Sequence, residues 1–365
     1  MSELPIVLHV GAPKAGSSAL QHELTWRPRR PLVGRPGVCC EYVAIDASGT
    51  LLRGDALEGF AALFAARYCM SAGLDDLARL DPARLRAAAG ELAALRAAGT
   101  IPVLSYELWL HAGRESIDRF TSLLGAPLRV VAYLRDPVSW LRSLSWQRRG
   151  PLEGPRDAWI AEHAAECRWS DHLARWRAAP GVERVDVRLA DRSVPRDFAA
   201  LLGFESDSTD ALVNPGVSGE FARFLERHRV GPALHVSEAK FAWSRWTAAA
   251  GVGDDFDPTP AVFDAAELAA ILAVTADATS ALLGQCDAAT AARIRADARW
   301  WSADPALHAG PPPRRPPSAP VEEADRLLEA ALMALVAADG AWRAEERRRR
   351  LAEARLEEYR ARPAA

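Results

Sequence analysis

The architecture of this 365-residue chain follows from one stretch, Ile6-Val7-Leu8-His9-Val10-Gly11-Ala12-Pro13-Lys14-Ala15-Gly16-Ser17-Ser18. Its short apolar part, Ile6–Val10, ends in a glycine and predicts a buried parallel strand. The residues from Ser17 to about Trp26 then predict a helix, which Ser17 can cap. A strand, a glycine-containing loop and a helix in this order form the basic phosphate-binding unit of α/β proteins.

This loop contains a lysine in a chain that almost lacks lysine. Only two of the 45 basic residues are lysine, and all the others are arginine. The compact ammonium of lysine can contact a single oxygen of an anion, which the planar guanidinium of arginine does less well. The position of Lys14 between a strand and a helix therefore indicates a functional cation.

The overall composition limits the classes of function. Hydrophobic residues make up 49% of the chain and charged residues 25%, which is typical of a soluble globular protein. The net charge of −3 argues against a general nucleic-acid-binding protein, because such proteins carry a large positive field. A local cluster of arginines could still hold one anionic ligand.

Several features lead us to expect a cytoplasmic protein. The five cysteines lack the spacing of metal ligands and predict reduced, buried thiols. The N-terminus has no basic region, and its apolar run is too short for a secretory signal. The longest apolar stretch, Ala330–Ala338, is too short to span a membrane, so we expect no stable membrane insertion.

The remaining pattern predicts an α/β fold, with a central, mostly parallel sheet and helices on both of its faces. Further strands are predicted at Ile101–Leu104, Leu128–Leu134 and Val182–Leu189. Helices are predicted at about 55–70, 74–98, 114–124, 137–149, 155–178 and 194–202, and over most of 217–300. Residues 28–50 contain several prolines and glycines and are predicted to be irregular.

The sequence predicts one main domain followed by an extension. The domain is expected to cover residues 1–305, and a proline-rich linker should follow at 306–320 because six prolines lie in Gly310–Pro320. Residues 321–365 predict a helical C-terminal tail with an apolar stripe. Such a stripe favours a helix that packs back on the domain, and it also permits an oligomer through this helix.

The phosphate-binding loop differs from that of an ATP-binding protein. Gly11 and Gly16 have the spacing of a Walker P-loop, in which a lysine and a serine or threonine follow the second glycine. Here Ser17 and Ser18 follow Gly16, and Lys14 precedes it by two positions. The loop is therefore P-loop-like, but its lysine approaches the ligand from another position and no metal-binding arrangement is evident.

In these residues the chain resembles the sulfotransferases that use 3′-phosphoadenylyl sulfate (PAPS). Their 5′-phosphosulfate loop reads Pro-Lys-x-Gly-[Ser/Thr]-[Ser/Thr], and the stretch Pro13-Lys14-Ala15-Gly16-Ser17-Ser18 has each fixed residue. The resemblance implies that Lys14 contacts the oxygen between the sulfuryl group and the phosphate. It also implies that Gly16, Ser17 and Ser18 hold the 5′-phosphate. The alternative is an ordinary helix start with a chance lysine.

A second motif supports the same resemblance. Arg135 ends the predicted strand Leu128–Leu134, and Ser143 follows eight residues later in the second turn of the next helix. An arginine fork and a serine hydroxyl can converge on one phosphate from these positions. The 3′-phosphate motif of the sulfotransferases has this Arg-x7-Ser spacing, so the resemblance assigns Arg135 and Ser143 to the cofactor. The alternative is an arginine that pairs with Asp136.

Three residues are candidates for the base that takes the proton of the acceptor. Cytosolic sulfotransferases place a histidine just after the strand that precedes the arginine-bearing strand, and Glu107 lies at that point in this sequence. A buried glutamate can act as a base because burial raises its pKa. Glu107 can instead pair with an arginine or cap a helix. Glu41 is the second candidate and His111 the third, whereas His9 is expected to be buried and hydrogen-bonded.

The sequence thus predicts a sulfotransferase that moves a sulfuryl group from PAPS to a hydroxyl, or in second place an amine. A glycan, a lipid or a small molecule would be the acceptor, and the product would be adenosine 3′,5′-bisphosphate. No metal is expected, since Lys14 and the loop amides can neutralise the leaving phosphate. One rival is a P-loop kinase or NTPase, with Asp136 as its only evident Mg²⁺ carboxylate. The other is a non-catalytic nucleotide-binding scaffold.

Overall fold

The computed structural model describes residues 3–63, 68–148, 155–190, 194–206 and 263–308. Its strands are β1 (Ile6–His9), β2 (Arg29–Pro31), β3 (Cys39–Tyr42), β4 (Ala44–Ile45), β5 (Leu51–Leu52), β6 (Thr100–Ser105), β7 (Leu128–Leu134) and β8 (Val182–Leu189). Six of them form one sheet in the order β2-β3-β6-β1-β7-β8, and β4 pairs with β5 separately.

Strand β1 occupies the interior of the large sheet. It pairs in parallel with β6 on one side and with β7 on the other, so that Val7 lies between Val103 and Arg129. Strand β3 runs parallel to β6, and β8 runs parallel to β7. Only the outermost strand β2 is antiparallel to its neighbour. The carboxyl ends of five strands therefore meet at one edge of the sheet.

Helices flank this sheet in two groups. The α-helices are α1 (Ser17–Trp26), α2 (Gly54–Ala62), α3 (Leu74–Ala78), α4 (Pro82–Ala97), α5 (Arg114–Leu124), α6 (Pro137–Arg148), α7 (Arg156–Ala164), α8 (Trp169–Arg177), α9 (Val194–Leu202), α10 (Ala265–Leu283), α11 (Ala288–Ala296) and α12 (Pro305–His308). Short 3₁₀ helices cover Glu107–His111, Ala165–Cys167 and Ala298–Trp300. Helix α1 contacts α2 and α9, whereas α5 contacts α3, α4 and α8, and α10 contacts α6, α7 and α8.

The predicted fold class is confirmed: the sheet is mostly parallel, helices flank it, and the described C-terminal part is helical. Strands β7 and β8 have the predicted bounds, as do helices α1, α5 and α9. These segments carry the clearest apolar periods in the sequence, and tertiary packing preserves them.

The prediction of an irregular segment at 28–50 is wrong. This segment contributes β2 and β3 to the central sheet and β4 to the small one. Strand β3 reads Cys39-Cys40-Glu41-Tyr42, which lacks β-branched residues and alternation, yet all four residues are buried. Pairing with β6 over the whole of its length holds β3 in place, so the tertiary contact overrides the weak local preference.

Two long predicted helices are interrupted. The predicted helix 74–98 is split into α3 and α4, because the side chain of Asp81 accepts a hydrogen bond from the amide of Ala83 and Pro82 is the first helical residue. The predicted helix 155–178 is split into α7 and α8 by a 3₁₀ turn. The predicted helix 55–70 begins as α2, which ends at Ala62.

The segment 263–308 packs against helices α6, α7 and α8 through α10. A capping box of Asp264 and Glu267 starts α10, and Arg156 of α7 donates to Glu267 at 2.9 Å. Helix α10 is long and apolar enough to cross a membrane by length and composition alone, but one such helix is weak evidence for a membrane span, and α10 packs on three other helices.

Three further predictions fall partly or wholly outside the described residues. These are the helical content of 217–262, the linker beyond residue 308 and the helical tail 321–365 with its possible role in an oligomer. Within the predicted linker, residues 306–308 belong to the single turn of α12.

Candidate functional site

The site is built where β1, β6 and β7 end side by side. Lys14 follows β1, Glu107 follows β6 and Arg135 follows β7. These three strands are neighbours and parallel, so their carboxyl ends lie at the same edge of the sheet. In an open α/β sheet, ligands bind at this edge. They bind at the point where the order of successive strands changes from one side of the first strand to the other. The sheet thus brings together three charged residues that are far apart in sequence.

The backbone of the loop has an unusual conformation. Lys14 has φ 65° and is the only non-glycine residue with positive φ in the part of the chain that the structure describes. Gly16 has φ 88°, which glycine adopts without steric cost. Left-handed residues at these positions turn successive amide groups to one side, and such concave backbones bind anions. The loop therefore has the geometry of an anion site and accepts strain at Lys14.

Several hydrogen bonds fix this loop to the sheet and to helix α6. The amide of Ala12 donates to Tyr133 O at 3.2 Å, and the amide of Ala15 donates to Ala12 O at 3.1 Å. The indole of buried Trp140 donates to Pro13 O at 2.6 Å. Because α6 supplies this bond, the two predicted phosphate-binding elements are joined directly.

The expectation that Ser17 caps helix α1 is wrong. Gly16 occupies the cap position in a left-handed conformation, without a side-chain cap, and Ser17 is the first helical residue. The Ser17 hydroxyl is buried and has no hydrogen-bond partner among the described residues. The first amides of any α-helix also lack partners within the helix. Together the Ser17 hydroxyl and these amides offer unsatisfied donors to an anion.

Gly16 also has a steric reason to be glycine. A Cβ atom at this position would lie 2.8 Å from Cγ2 of Val194, the first residue of α9. Real Cβ atoms do not approach a neighbour so closely, so a side chain here would displace α9 or the loop. The close approach of α9 therefore leaves no room for a side chain at residue 16 of the loop.

The charges of the site influence one another. Burial lowers the pKa of Lys14, while Glu107 raises it and Arg135 lowers it. Burial raises the pKa of Glu107, and the ammonium of Lys14 opposes this rise. The two side chains therefore form a partly buried pair of opposite charges, in which each stabilises the ionised form of the other.

Arg135 connects the loop to the second element. Its guanidinium donates from Nη1 to Lys14 O at 3.2 Å, and its own carbonyl accepts from the indole of Trp169 at 3.0 Å. Burial lowers its pKa, and Asp136 raises it. Ser143 lies partly buried on α6 in the same element. The structure thus places Arg135 against the backbone of the lysine loop. Two motifs that bind one ligand would need this proximity.

Asp136 has a structural role in the described residues. Its Oδ1 accepts from the amide of Ser139 at 2.8 Å, so this buried carboxylate caps helix α6. No group of three or more histidine, cysteine, aspartate or glutamate residues that could hold a metal is found in the described ranges.

Two arginines near Arg135 were missed in the sequence. Both Arg142 and Arg299 lower the pKa of Arg135, so the positive charges of the three guanidinium groups repel one another. Arg142 donates to His308 O at 2.9 Å, and Arg299 pairs with Asp297 at 2.7 Å. Arg142 precedes Ser143 and could have been noticed. Arg299 gives no local signal, because only the tertiary fold brings it to α6.

Tyr68 is a second missed residue. Its hydroxyl lies 3.2 Å from Oγ of Ser18. Burial raises its pKa, the bond to Ser18 lowers it and the charge of Glu107 raises it. Tyr68 thus borders both the loop and the candidate base. Nothing in the sequence indicates this position, because Tyr68 lies inside a predicted helix.

The other two candidate bases have different surroundings. Glu41 is buried on β3 and accepts two bonds from Arg53, at 2.8 and 3.2 Å, as a bidentate ion pair. His111 contacts the rings of Trp140, Trp169 and His172, and its Nε2 lies 3.2 Å from Glu166 O. Of the three candidates, Glu107 is the one that interacts electrostatically with Lys14.

The tryptophans near the site are core residues that hold loops. Trp140, Trp169 and Trp176 are buried. Their indoles donate to carbonyls of Pro13, Arg135 and Trp109 respectively. Trp109 in turn donates to Ala72 O at 2.9 Å. These four tryptophans therefore lie in the core and hold neighbouring backbone carbonyls.

Comparison with known proteins gives no family by sequence. No family model matches the chain, and no curated protein matches it. The chain is similar to the structure titled "Crystal Structure of Sulfotransferase from Alicyclobacillus acidocaldarius", with 16% identity, a TM-score of 0.33, and coverage of 68% of this chain and 95% of that chain.

It is also similar to the "Sulfotransferase Domain from the Curacin Biosynthetic Pathway", with 14% identity and a TM-score of 0.33. This alignment covers 60% of this chain and 83% of that chain. Similarity at this level does not determine a function, so the residues of the site must carry the inference.

Proposed function

We propose that this chain is a sulfotransferase that uses PAPS and transfers its sulfuryl group to a hydroxyl, or in second place an amine, of an acceptor. One observation carries the proposal: a strained lysine in an anion-binding loop interacts electrostatically with a half-buried glutamate, and its carbonyl accepts a hydrogen bond from an arginine at the next strand end. Each of these residues has the chemistry that sulfuryl transfer requires at that position.

The loop residues are suited to one end of the cofactor. The amides at the start of α1 and the unpartnered hydroxyl of Ser17 can donate to a 5′-phosphate. Ser18 adds a second hydroxyl, and Pro13, Ala15 and Gly16 set the shape of the loop. A buried hydroxyl without a partner costs free energy, and an accepting anion would remove this cost.

The second element is suited to the other end. Arg135 and Ser143 would hold the 3′-phosphate, and Arg142 and Arg299 add positive potential around Arg135. Burial lowers the pKa of Arg135, but an arginine remains protonated at neutral pH. A dianionic phosphate is the type of ligand that would compensate three neighbouring guanidinium groups.

The side chains around Lys14 can then promote the transfer. PAPS supplies the sulfuryl group when it is bound. Lys14 can neutralise the negative charge that grows on the leaving phosphate. Glu107 can take the proton of the acceptor, because burial brings its pKa closer to neutrality. Neither role requires a metal.

The rival functions have less support in these residues. A kinase would need a lysine after Gly16 and a free carboxylate for Mg²⁺, but Asp136 caps helix α6. A non-catalytic scaffold would have no reason to keep a strained lysine that interacts with a half-buried glutamate. A cytoplasmic place of action and a glycan, lipid or small-molecule acceptor remain part of the proposal.

Calorimetric titration separates the nucleotide classes. We expect adenosine 3′,5′-bisphosphate to bind in the presence of EDTA, and ATP with Mg²⁺ to bind far more weakly. Tight, metal-dependent ATP binding would support the kinase and refute the proposal.

A transfer assay with sulfur-labelled PAPS and a panel of acceptors then tests catalysis. Lys14→Ala should abolish turnover and Lys14→Arg should be nearly as inactive, while Arg135→Ala should mainly weaken nucleotide binding. Arg79→Ala, at an arginine whose side chain is 80% exposed, is the matched control and should behave like the wild type. Normal turnover by Lys14→Ala would refute the role of this lysine. Binding without transfer to any acceptor would favour the scaffold.

A further inference from the structure

A chain of buried polar side chains lies directly beneath the loop. It consists of Gln21 on α1, Ser105 at the end of β6, His9 at the end of β1, and Ser17 at the start of α1, and all four are buried. Nε2 of Gln21 donates to Oγ of Ser105 at 3.0 Å. The same oxygen lies 2.7 Å from Nδ1 of His9. Burial of such a network costs free energy unless each polar atom has a hydrogen-bond partner.

The end of this network nearest the loop is incomplete. Nε2 of His9 and Oγ of Ser17 are both buried and have no hydrogen-bond partner among the described residues. They border the same point: a Cβ atom on Gly11 would lie 2.7 Å from Nε2 and 3.0 Å from Oγ. Only glycine leaves this space open, so the two orphaned atoms border the same space beside the backbone of the loop, without a hydrogen bond between them.

The proton of the Ser105 hydroxyl determines which nitrogen of His9 carries a proton. Oγ of Ser105 accepts from Gln21 and also contacts the hydroxyl of Tyr42, which itself donates to Cys69 O, so the proposal requires the Ser105 proton to go to Nδ1 of His9 and not to Tyr42. A neutral ring that accepts at Nδ1 carries its proton at Nε2, the atom that faces Ser17. Burial keeps the ring neutral, since it lowers the pKa of His9 to about 3.

We propose that His9 is a positioning residue for the anion-binding loop: when the loop binds an anion, Nε2 of His9 donates to the Ser17 hydroxyl, a bond that is not formed in the structure, so that the Ser17 proton points to the anion. This inference rests on the proposed function, because it assumes that the loop binds an anionic group. The chain of donors then runs from Gln21 through Ser105, His9 and Ser17 to the anion. In such a chain each bond polarises and strengthens the next.

Two substitutions of nearly equal size separate this role from simple packing. His9→Gln can place an amide nitrogen near the position of Nε2, whereas His9→Asn keeps a polar atom near Nδ1 and loses the group that faces Ser17. Isothermal titration with adenosine 3′,5′-bisphosphate should show near-wild-type affinity for His9→Gln. We expect a loss of about tenfold or more for His9→Asn. In a Ser17→Ala background the difference between the two variants should disappear.

Other outcomes would overturn the role of His9. If both variants lose affinity equally, or if His9→Asn binds like the wild type, His9 serves only the packing of the strand. Urea unfolding of both variants controls for loss of the fold. In the ligand-bound wild type, nitrogen NMR shifts of His9 should show a neutral ring protonated at Nε2. A ring protonated at Nδ1, with Ser105 donating elsewhere, would contradict the proposal.

A second probe separates this inference from the proposed function. Inorganic pyrophosphate can occupy the loop without an adenosine. If the wild type binds pyrophosphate but no adenosine 3′,5′-bisphosphate, the nucleotide assignment fails and the two His9 variants are compared with pyrophosphate. If the wild type binds neither probe, both proposals fail. If it binds the nucleotide and the variants do not differ, only the role of His9 is lost.

Discussion

At the scale of single residues, Lys14 shows how the loop trades stability for chemistry. A left-handed backbone costs an ordinary L-residue about 1–2 kcal/mol, whereas glycine adopts it freely. Lys14 has φ 65° and is held there by Arg135, which donates to its carbonyl, and by Trp140, which donates to the carbonyl before it. Glycine would remove this strain but has no ammonium. The strain is therefore consistent with the proposed role of the Lys14 ammonium.

The strained backbone leads to a prediction in which two variants differ in stability but are equally inactive. Lys14→Gly should be more stable to urea than Lys14→Ala by about 1 kcal/mol, because only alanine keeps the strained φ. Both variants should lack sulfuryl transfer, since both lack the ammonium. Urea unfolding curves at equal protein concentration measure the difference. Equal stability of the two variants would mean that the backbone at residue 14 is not strained.

The pair of Lys14 and Glu107 predicts a bell-shaped dependence of kcat/KM on pH. Burial raises the pKa of Glu107, so the acid limb should lie above the usual carboxyl range. Burial lowers the pKa of Lys14, so the alkaline limb should lie below the usual ammonium range. Glu107→Gln should weaken transfer and remove the acid limb. It should also move the alkaline limb to lower pH, because Glu107 raises the pKa of Lys14.

The same pair gives a signed effect on stability. The pKa of Glu107 is higher in the folded protein than in the unfolded chain, so the folded state binds more protons between the two values. The free energy of unfolding should therefore fall as pH rises through this window, and Glu107→Gln should remove the fall. Urea unfolding across mildly acidic pH measures this. An unchanged pH profile of stability in Glu107→Gln would show that the pKa of Glu107 is not raised in the folded protein.

The sequence predicted part of this arrangement for a simple reason. Lys14, Glu107 and Arg135 each follow a strand, and parallel neighbouring strands must bring such residues to one edge. Their chemical roles stay predictions. Tyr68 and Arg299 could not be predicted, because their approach depends on long-range packing that leaves no local pattern. The orphaned hydroxyl of Ser17 was misread as a cap because Ser is a frequent cap residue.

At the scale of elements, tryptophan indoles connect helices to the loops of the site. Trp140 of α6 holds the lysine loop, and Trp169 of α8 holds the carbonyl of Arg135. Each indole combines a large buried ring with a single donor, so it fixes a loop carbonyl in the core without leaving a polar group unpaired. The positions of both motifs thus depend on the helix layer.

Removal of one indole donor should therefore weaken both stability and ligand binding. Trp140→Phe leaves the Pro13 carbonyl without its partner and should cost about 1–3 kcal/mol of unfolding free energy. It should also weaken the binding of adenosine 3′,5′-bisphosphate, because the loop loses its anchor on α6. Trp301→Phe removes an indole bond to Ile294 O at a more exposed position and is the control. Unchanged nucleotide affinity in Trp140→Phe would refute the anchoring role.

The elements that the sequence predicted best are those whose own pattern matches their environment. Strands β7 and β8 are rich in valine, and helix α5 has a clear apolar face. Strand β3 went unrecognised because Cys39-Cys40-Glu41-Tyr42 has no such pattern, and its pairing with β6 supplies the stability. The split between α3 and α4 was visible in Asp81 and Pro82, which together signal a helix start.

At the scale of the whole molecule, residues 263–308 belong to the same core as the sheet that carries the candidate site. Leu268, Ile271 and Leu282 of α10 are buried in one hydrophobic cluster with the residues of the central sheet. Arg142 of α6 reaches the end of this segment through His308 O. The predicted domain of 1–305 and the phosphate-binding motifs should therefore unfold together.

A pair of substitutions on α10 tests this cooperativity. Ile271→Ala, at a side chain that is 0% exposed, should cost about 2–5 kcal/mol and lower the midpoint of one single unfolding transition. Val274→Ala, at a residue 36% exposed on the same helix, should cost much less. Urea unfolding followed by circular dichroism and by nucleotide binding measures both. If binding survives the transition that Ile271→Ala shifts, the helical segment is an independent unit.

The indole of Trp140 has an optical consequence. Its ring lies under the carbonyl of Pro13, one peptide away from the cation of Lys14, so any anion that neutralises this cation changes the electric field across the ring. The emission of an indole responds to such a field. Arrival of the donor molecule could therefore be followed by the native fluorescence of the protein, without a dye or a radioactive label.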